Sequence, residues 1–117
     1  MAKFLFIYRR ASDALSKMSP EEMQKHMERW RAWIGEGLQK GWITDSGDAL
    51  TAEGRVVNAK VVKDGPFVES KEIIGGFSII EVDTIQVAAE RAKSCPNIPL
   101  GGTVEIRPLA GYSVQKQ

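Results

Sequence analysis

The chain has 117 residues, of which 43% are apolar and 26% are charged. We expect a single domain over residues 1–117, because a chain of this length buries roughly 60–70% of the surface that its unfolded form exposes. Its 16 basic and 15 acidic residues leave a net charge of +1. That balance argues against nucleic-acid and anionic-membrane partners, since both require a concentrated positive field.

A single cysteine, Cys95, excludes an internal disulfide and a cysteine-based zinc site. The opening apolar run, residues 4–8, is shorter than the core of an export signal and ends in two arginines. No apolar stretch reaches the roughly 20 residues of a membrane helix. We therefore expect a cytoplasmic protein with no membrane partner.

The first two elements carry clear signals. Residues 3–8 predict a central strand, because the run is short and apolar on both alternating faces. Ser19, Pro20 and Glu22 predict the start of a helix with a capping box, and Gly41 predicts its end. Apolar residues at three- and four-residue spacing predict the face that this helix buries: Met23, Met27, Trp30, Ile34 and Leu38.

The rest of the chain completes a doubled pattern of elements. In order, we predict a loop with at most a short edge hairpin over 42–54, a strand over 55–62, a strand over 73–82, a helix that Asp83 caps and Pro96 ends, and a strand over 103–107. The order βαββαβ is typical of the α+β ferredoxin-like fold, with two helices on one face of an antiparallel sheet. Because the first strand is apolar on both sides, we expect a second copy to cover the other face in a homodimer.

The connection over residues 63–72 is longer than a usual hairpin loop, and such connections are often functional. It contains Asp-Gly-Pro-Phe at 64–67, followed by Glu69, Lys71-Glu72 and Gly75-Gly76. This string resembles the signature of the YCII-related domain family, in its DGPF branch. The family usually has Thr where this chain has Ser70.

The resemblance implies a ferredoxin-like protomer in a dimeric assembly of the α/β-barrel type. It also implies relatives that accompany extracytoplasmic-type sigma factors or are fused to them. Related YCII-like proteins include a dechlorinating or lyase-type enzyme that acts on a small ring compound, for which a His-Asp pair is the proposed machinery.

His26 is the only histidine, and it lies between Met23 and Trp30 on or beside the buried face of the first helix. The resemblance implies an acid–base role for it, which a near-neutral pKa suits. Asp64 is its expected partner and would orient the ring. Two plainer alternatives stay open: His26 pairs with Glu22 one turn earlier, or Asp64 only closes its own turn.

Positive charge for a substrate carboxylate or oxyanion is expected from Lys71 together with Arg107 or Arg9. The plainer alternative is a set of solvated charges at loop and strand ends. We expect no dinucleotide cofactor, because the glycines between residues 35 and 41 miss the fingerprint spacing. We also expect no metal, because one histidine with scattered carboxylates does not match zinc spacing.

The sequence therefore predicts a pocket between the first helix and the Asp64 loop. In that pocket, His26 would act as general base in lyase- or isomerase-type proton transfer on a small organic acid or ring compound. Trp30, Trp33 and Trp42 are expected in the core, in the dimer contact or in the pocket wall. The competing hypotheses are a non-catalytic module that binds a ligand or a transcription-related protein, and a structural dimer without a pocket.

Overall fold

The computed structural model of the chain describes residues 1–65 and 71–112. The elements in chain order are β1 (Ala2–Ala11), α1 (Pro20–Lys40), β2 (Ile43–Ala49), β3 (Gly54–Val57), β4 (Val62–Gly65), β5 (Glu72–Val82), α2 (Ile85–Ala92) and β6 (Thr103–Pro108). Residues 66–70 of the Asp-Gly-Pro-Phe connection lie outside the described residues. The sequence also predicts a flexible tail over 110–117, and its residues 113–117 lie outside them too.

Four strands form an antiparallel sheet in the order β2-β5-β1-β6, while β3 and β4 form a separate two-stranded hairpin. The two helices connect β1 to β2 and β5 to β6. This α+β arrangement is compatible with the predicted ferredoxin-like fold. None of the helices in the described part of the chain is long and apolar enough to cross a membrane.

Helix α1 begins and ends where the sequence predicts. The Ser19 hydroxyl accepts a hydrogen bond from the Glu22 N–H at 3.1 Å, and the Glu22 carboxylate accepts from the Ser19 N–H at 3.4 Å. Gly41 ends the helix with a φ of 82°, a left-handed conformation that glycine adopts without steric cost. Local capping chemistry therefore sets both ends of this helix.

The expected loop over 42–54 is wrong, because β2 occupies most of it. β2 pairs with β5 through contacts such as Ile43↔Ile80 and Asp48↔Phe77, with irregular register. Its two Asp residues and its Gly have low strand propensity, and only Ile43 and Thr44 at its start favour a strand, so the local sequence predicts the strand weakly. Pairing with the neighbouring strand β5 therefore makes this segment a strand.

The expected strand over 55–62 is also wrong, because a turn divides it into β3 and β4. The Asn58 side-chain oxygen accepts hydrogen bonds from the N–H groups of Lys60 and Val61 at 2.8 and 2.9 Å. The Asn58 N–H donates to the Val61 carbonyl oxygen at 2.9 Å, which closes the turn. Asparagine commonly makes such turns, and this one was overlooked within the alternating valines.

The second helix differs from the prediction by one residue at its start. Thr84, not Asp83, is the N-cap, and its hydroxyl accepts from the Val87 N–H at 3.2 Å. Cys95 lies fully buried after this helix. Burial raises the pKa of the Cys95 thiol to about 12, so the thiol is protonated at neutral pH.

The two faces of the sheet are packed differently within the protomer. The face beneath the helices carries the core: Phe4, Phe6, Tyr8, Trp33, Trp42, Ile43, Ile80, Val82, Ala88, Ala92 and Cys95. On the opposite face, Leu5 pairs with Ile79 and Ile7 pairs with Phe77, and all four are partly buried. Strand β1 is thus apolar on both sides, as its sequence predicts.

Candidate functional site

A cavity of about 660 Å³ lies between α1 and the helix-facing side of the sheet. Polar side chains on its wall belong to Tyr8, Arg10, His26, Arg31, Ser46, Asp48, Ser78 and Asn97. Its apolar wall comes from Leu15, Met27, Trp30, Ile34, Leu38 and Leu50. A pocket beside the first helix is therefore present, with charged groups set among apolar ones.

Two glycines of β5, Gly75 and Gly76, line this cavity where neighbouring groups approach them closely. The register of β1 and β5 shifts at Tyr8 and Arg9, which places Gly75 in an irregular position. A Cβ atom on Gly75 would lie 3.0 Å from the Arg10 Nε atom, and one on Gly76 would lie 2.7 Å from the Asp48 carbonyl oxygen. Side chains at these positions would displace Arg10 or the backbone of β2.

His26 lies in the wall of the cavity and is 5% exposed. The Trp30 indole Nε1–H donates a hydrogen bond to the His26 Nε2 atom at 3.1 Å. Burial, followed by the positive charges of Arg29 and Arg10, lowers the pKa of His26 below its ordinary value. The imidazole is consequently neutral at pH 7, and its proton lies on Nδ1 because Nε2 accepts.

The plainer expectation of a His26–Glu22 pair is not what the structure shows. Glu22 closes the capping box with Ser19. The ring of His26 instead bonds to Trp30, one turn toward the C-terminal end of α1. The histidine is therefore turned toward the interior.

Arg10 lines the cavity, although the sequence did not predict it as a site residue. It is partly buried on the cavity wall, and burial lowers the pKa of its guanidinium, which nonetheless stays charged. In residues 1–65 and 71–112, no carboxylate lies within 4.0 Å of its nitrogen atoms. The alternation of β1 could have found it, since Phe4, Phe6, Tyr8 and Arg10 share one face.

A chain of hydrogen bonds lines the floor of the cavity. The Tyr8 hydroxyl donates to the Ser78 Oγ atom at 2.8 Å, and Ser78 Oγ donates to the Ser46 carbonyl oxygen at 2.7 Å. Burial raises the pKa of Tyr8 well above its ordinary value. The Tyr8 hydroxyl therefore stays protonated at physiological pH and serves as a hydrogen-bond donor.

Asn97 fixes the strand ends beside the cavity. Its side-chain amide donates to the carbonyl oxygens of Arg9 at 2.7 Å and Thr103 at 2.8 Å. These two bonds tie the end of β1 to the start of β6. Asn97 thus holds the strand from which Arg10 projects.

The predicted substrate-binding cations lie away from the cavity. The Arg9 Nε atom is 2.9 Å from one carboxylate oxygen of Glu105, and an Arg107 nitrogen is 3.4 Å from the other. The hydrogen bond from Arg9 is the main reason why the pKa of Glu105 is lowered. Lys71 is exposed, and its carbonyl oxygen accepts from the Ser12 N–H at 2.9 Å.

Asp64 lies in the β3–β4 hairpin and not in the cavity wall. Its side chain is 95% exposed, and its Oδ1 atom is 3.6 Å from the Nε atom of Arg55 across the hairpin. The protomer thus brings His26 into the cavity and does not bring Asp64 there. The His26–Asp64 pair stays a prediction.

The fold and the cavity together define the class of protein: an α+β domain compatible with the ferredoxin-like fold, with a cavity of the size that small ligands occupy beneath its first helix. A model of the YCII-related domain family matches residues 2–111. The chain therefore belongs to the YCII-related domain family, which confirms the membership predicted from the sequence.

A segment of 53 residues is 42% identical to an uncharacterized protein of Rhizobium meliloti (strain 1021). This match covers 44% of the chain and 43% of the relative, so it spans less than half of either protein. Among the described residues, no group of three or more His, Cys, Asp or Glu side chains is arranged to hold a metal ion.

Proposed function

We propose that the cavity binds a small organic acid with an apolar or ring-shaped body. The observation that carries this proposal is Arg10, a partly buried cation without a carboxylate partner in the described part of the chain. Buried charges in proteins are normally paired. A ligand carboxylate would supply the missing partner through charge-assisted hydrogen bonds, which are stronger than neutral ones.

The rest of the wall suits the same ligand class. Small-molecule sites usually measure about 300–1,000 Å³ and combine apolar walls with a few polar groups, and this cavity of about 660 Å³ has that composition. His26 adds a neutral N–H donor near Arg10. Leu15, Met27 and Ile34 offer an apolar surface to the body of the acid.

The test is binding of benzoate, phenylacetate and cyclohexanecarboxylate, followed by NMR chemical-shift titration. Benzamide serves as the uncharged analogue. We expect the acids to shift the signals of His26 and of the Trp30 indole N–H, and Arg10→Met to weaken their binding at least about tenfold. Arg9→Met is the matched control, because Arg9 points to the other face and pairs with Glu105.

Three results would contradict the proposal. The first is that none of the acids binds at millimolar concentration. The second is that benzamide binds as tightly as benzoate. The third is that Arg10→Met and Arg9→Met bind the acids equally well.

A second candidate function is proton transfer, of lyase or isomerase type, with His26 as base and Asp64 as its partner. A neutral imidazole in the cavity supports it, since only the neutral ring can accept a proton. The candidate also requires Asp64 to leave its exposed position beside Arg55. Binding without any turnover would favour the non-catalytic ligand-binding module instead.

Exchange of the C3 hydrogens of a bound 2-oxo acid, which lie next to its keto carbon, is followed by NMR in D₂O and tests this candidate. We expect exchange with wild type and its loss in both His26→Gln and Asp64→Asn. Exchange that survives Asp64→Asn would remove Asp64 from the mechanism. Exchange that survives both substitutions would remove the candidate.

We also propose that the chain is a cytoplasmic homodimer of the DGPF branch. The string Asp64-Gly65-Pro66-Phe67 supports the branch, and the partly buried apolar row of Leu5, Ile7, Phe77 and Ile79 supports a partner on the open sheet face. Sedimentation equilibrium should give a dimer for wild type and a monomer for Ile7→Lys. Val57→Lys, on the exposed hairpin, is the control that should leave the dimer intact.

A further inference from the structure

We propose that Trp30 is a positioning residue that fixes the tautomer of His26, so that the ring offers its Nδ1–H to the cavity as a hydrogen-bond donor. This inference rests on the proposed ligand site. It assigns to the histidine donation to an acceptor oxygen and not abstraction of a proton, so it excludes the second candidate function, in which His26 is the base.

The contact itself dictates where the proton lies. Trp30 Nε1 and His26 Nε2 are 3.1 Å apart, and the two residues lie one turn apart on α1. An indole nitrogen can only donate. Nε2 must therefore present its lone pair, and the single proton of the neutral ring must lie on Nδ1.

Trp30 is held in place by the core and not by a ligand. Its ring packs edge-on against Tyr8 at 4.8 Å between centroids and against Trp33 at 5.9 Å. Tyr8 is in turn anchored by its hydrogen bond to Ser78. The direction of the Trp30 N–H is thus set by neighbours that are themselves buried.

The second ring nitrogen of His26, Nδ1, has no hydrogen-bond partner in the described part of the chain. Within residues 1–65 and 71–112, Trp30 is the hydrogen-bond partner of the His26 ring. In that same part of the chain, no fully buried side-chain nitrogen or oxygen lacks a partner. His26 lines the cavity, so the proposal places the Nδ1–H on the cavity side of the ring.

The surrounding charges keep the ring neutral while it donates. Arg10 from β1 and Arg29 from α1 oppose a second proton on it. Arg31 from α1 and Asp48 from β2 also line the cavity. A base at Nδ1 would need the ring proton on Nε2, where the Trp30 hydrogen already points.

Consequently the site should prefer a ligand with an acceptor oxygen at this position. A carboxylate or carbonyl oxygen could accept from His26 Nδ1–H while the same group accepts from Arg10. A phenol oxygen can accept from Nδ1–H as well, but it lacks the negative charge that a carboxylate offers to Arg10.

The experiment is ¹⁵N NMR of the His26 imidazole in the ligand-free protein. We expect wild type to show the Nδ1–H tautomer and Trp30→Phe to show a mixture of both tautomers with a raised imidazole pKa. Trp33→Phe is the matched control: it removes another buried indole N–H on α1, one that donates to Ser94 Oγ at 2.9 Å. Its His26 signals should match wild type.

An Nε2–H tautomer in wild type would overturn the inference, and so would unchanged His26 signals in Trp30→Phe. The wild-type measurement needs no variant, so a substitution that fails to fold leaves the test intact. Because no ligand is present, failure of acid binding and failure of the tautomer assignment are seen in separate experiments.

Discussion

The two ends of the helix-covered sheet face differ sharply, although the same two strands form both. At one end, Phe4 of β1 lies opposite Ile80 of β5 and the space is filled with hydrocarbon. Toward the other end, Tyr8 lies opposite Gly76 and is followed on the same face by Arg10. The side chains on β5 shrink from isoleucine to serine to glycine along this path, and the core gives way to a cavity.

This difference teaches how one sheet can supply both stability and a site. The end around Phe4 and Ile80, here called the filled end, buries apolar surface, and this burial favours folding by roughly 25 cal/mol per Å². The end beside the cavity, here called the open end, holds the partly buried Arg10 and the neutral His26, and these polar groups do not stabilise the fold by themselves. Residues that weaken the fold are expected where a ligand binds.

The largest expected effect tests the filled end. Phe6→Ala should lower the free energy of unfolding by about 3–5 kcal/mol, because it opens a void among fully buried neighbours. Met27→Ala, in the cavity wall and 41% exposed, should lower it by less than about 1 kcal/mol. Urea denaturation measures both, and equal losses would erase the distinction between the two ends.

The next effect tests the boundary between the ends. Ser78→Ala should cost about 1–3 kcal/mol, because it leaves the Tyr8 hydroxyl and the Ser46 carbonyl oxygen without their partner. Tyr8→Phe removes one donor only and should cost less, about 0.5–1.5 kcal/mol. The same denaturation experiment checks the order, and a neutral Ser78→Ala would mean that water replaces the serine.

A smaller effect, of opposite sign, tests the open end. Arg10→Met should raise the free energy of unfolding by about 1 kcal/mol, because it removes a charge that has no carboxylate partner in the described part of the chain and keeps an apolar stem in the wall. Arg9→Met is its control and should change stability by about 0–1 kcal/mol in the unfavourable direction, since it breaks the partly exposed pair with Glu105. A destabilised Arg10→Met would show that the arginine supports the fold.

The smallest effect is a pH dependence. His26 has a folded-state pKa below its ordinary value of 6.5, so between those two pKa values the unfolded chain binds more protons than the folded chain. Stability should therefore fall as the pH drops through 6.5 and level off below the folded-state pKa. In His26→Gln, the glutamine oxygen can still accept from the Trp30 indole N–H, but the variant should lose the His26 contribution to the pH dependence of the free energy of unfolding. If the profiles of this free energy against pH are parallel in the two proteins, His26 is not the source of the pH dependence.

Local chemistry was enough to predict several parts of the molecule. The capping box at Ser19 and the glycine at residue 41 set α1 through bonds made within a few residues. The alternating apolar run of β5 marked a buried strand, and the residues around Asp64-Gly65 indicated the family. The burial of His26 followed from its place on the apolar face of α1.

Other features depended on residues distant in the chain. β2 is a strand because it pairs with the edge of β5, and most residues of its polar sequence have low strand propensity. The cavity wall likewise joins distant residues, since Gly75 and Gly76 of β5 lie beside Arg10 of β1 and the backbone of β2.

The sequence by itself therefore determined both ends of α1, the central strand β1, the family and the candidate histidine, since these depend on short-range bonding and hydrophobic periodicity. The tertiary structure decided that Arg10, and not Arg9, lines the cavity, and that Trp30 is the partner of His26 while Asp64 is not within this protomer. The physical reason is that strand register and side-chain packing join residues far apart in the chain, and no local pattern records which of them will meet.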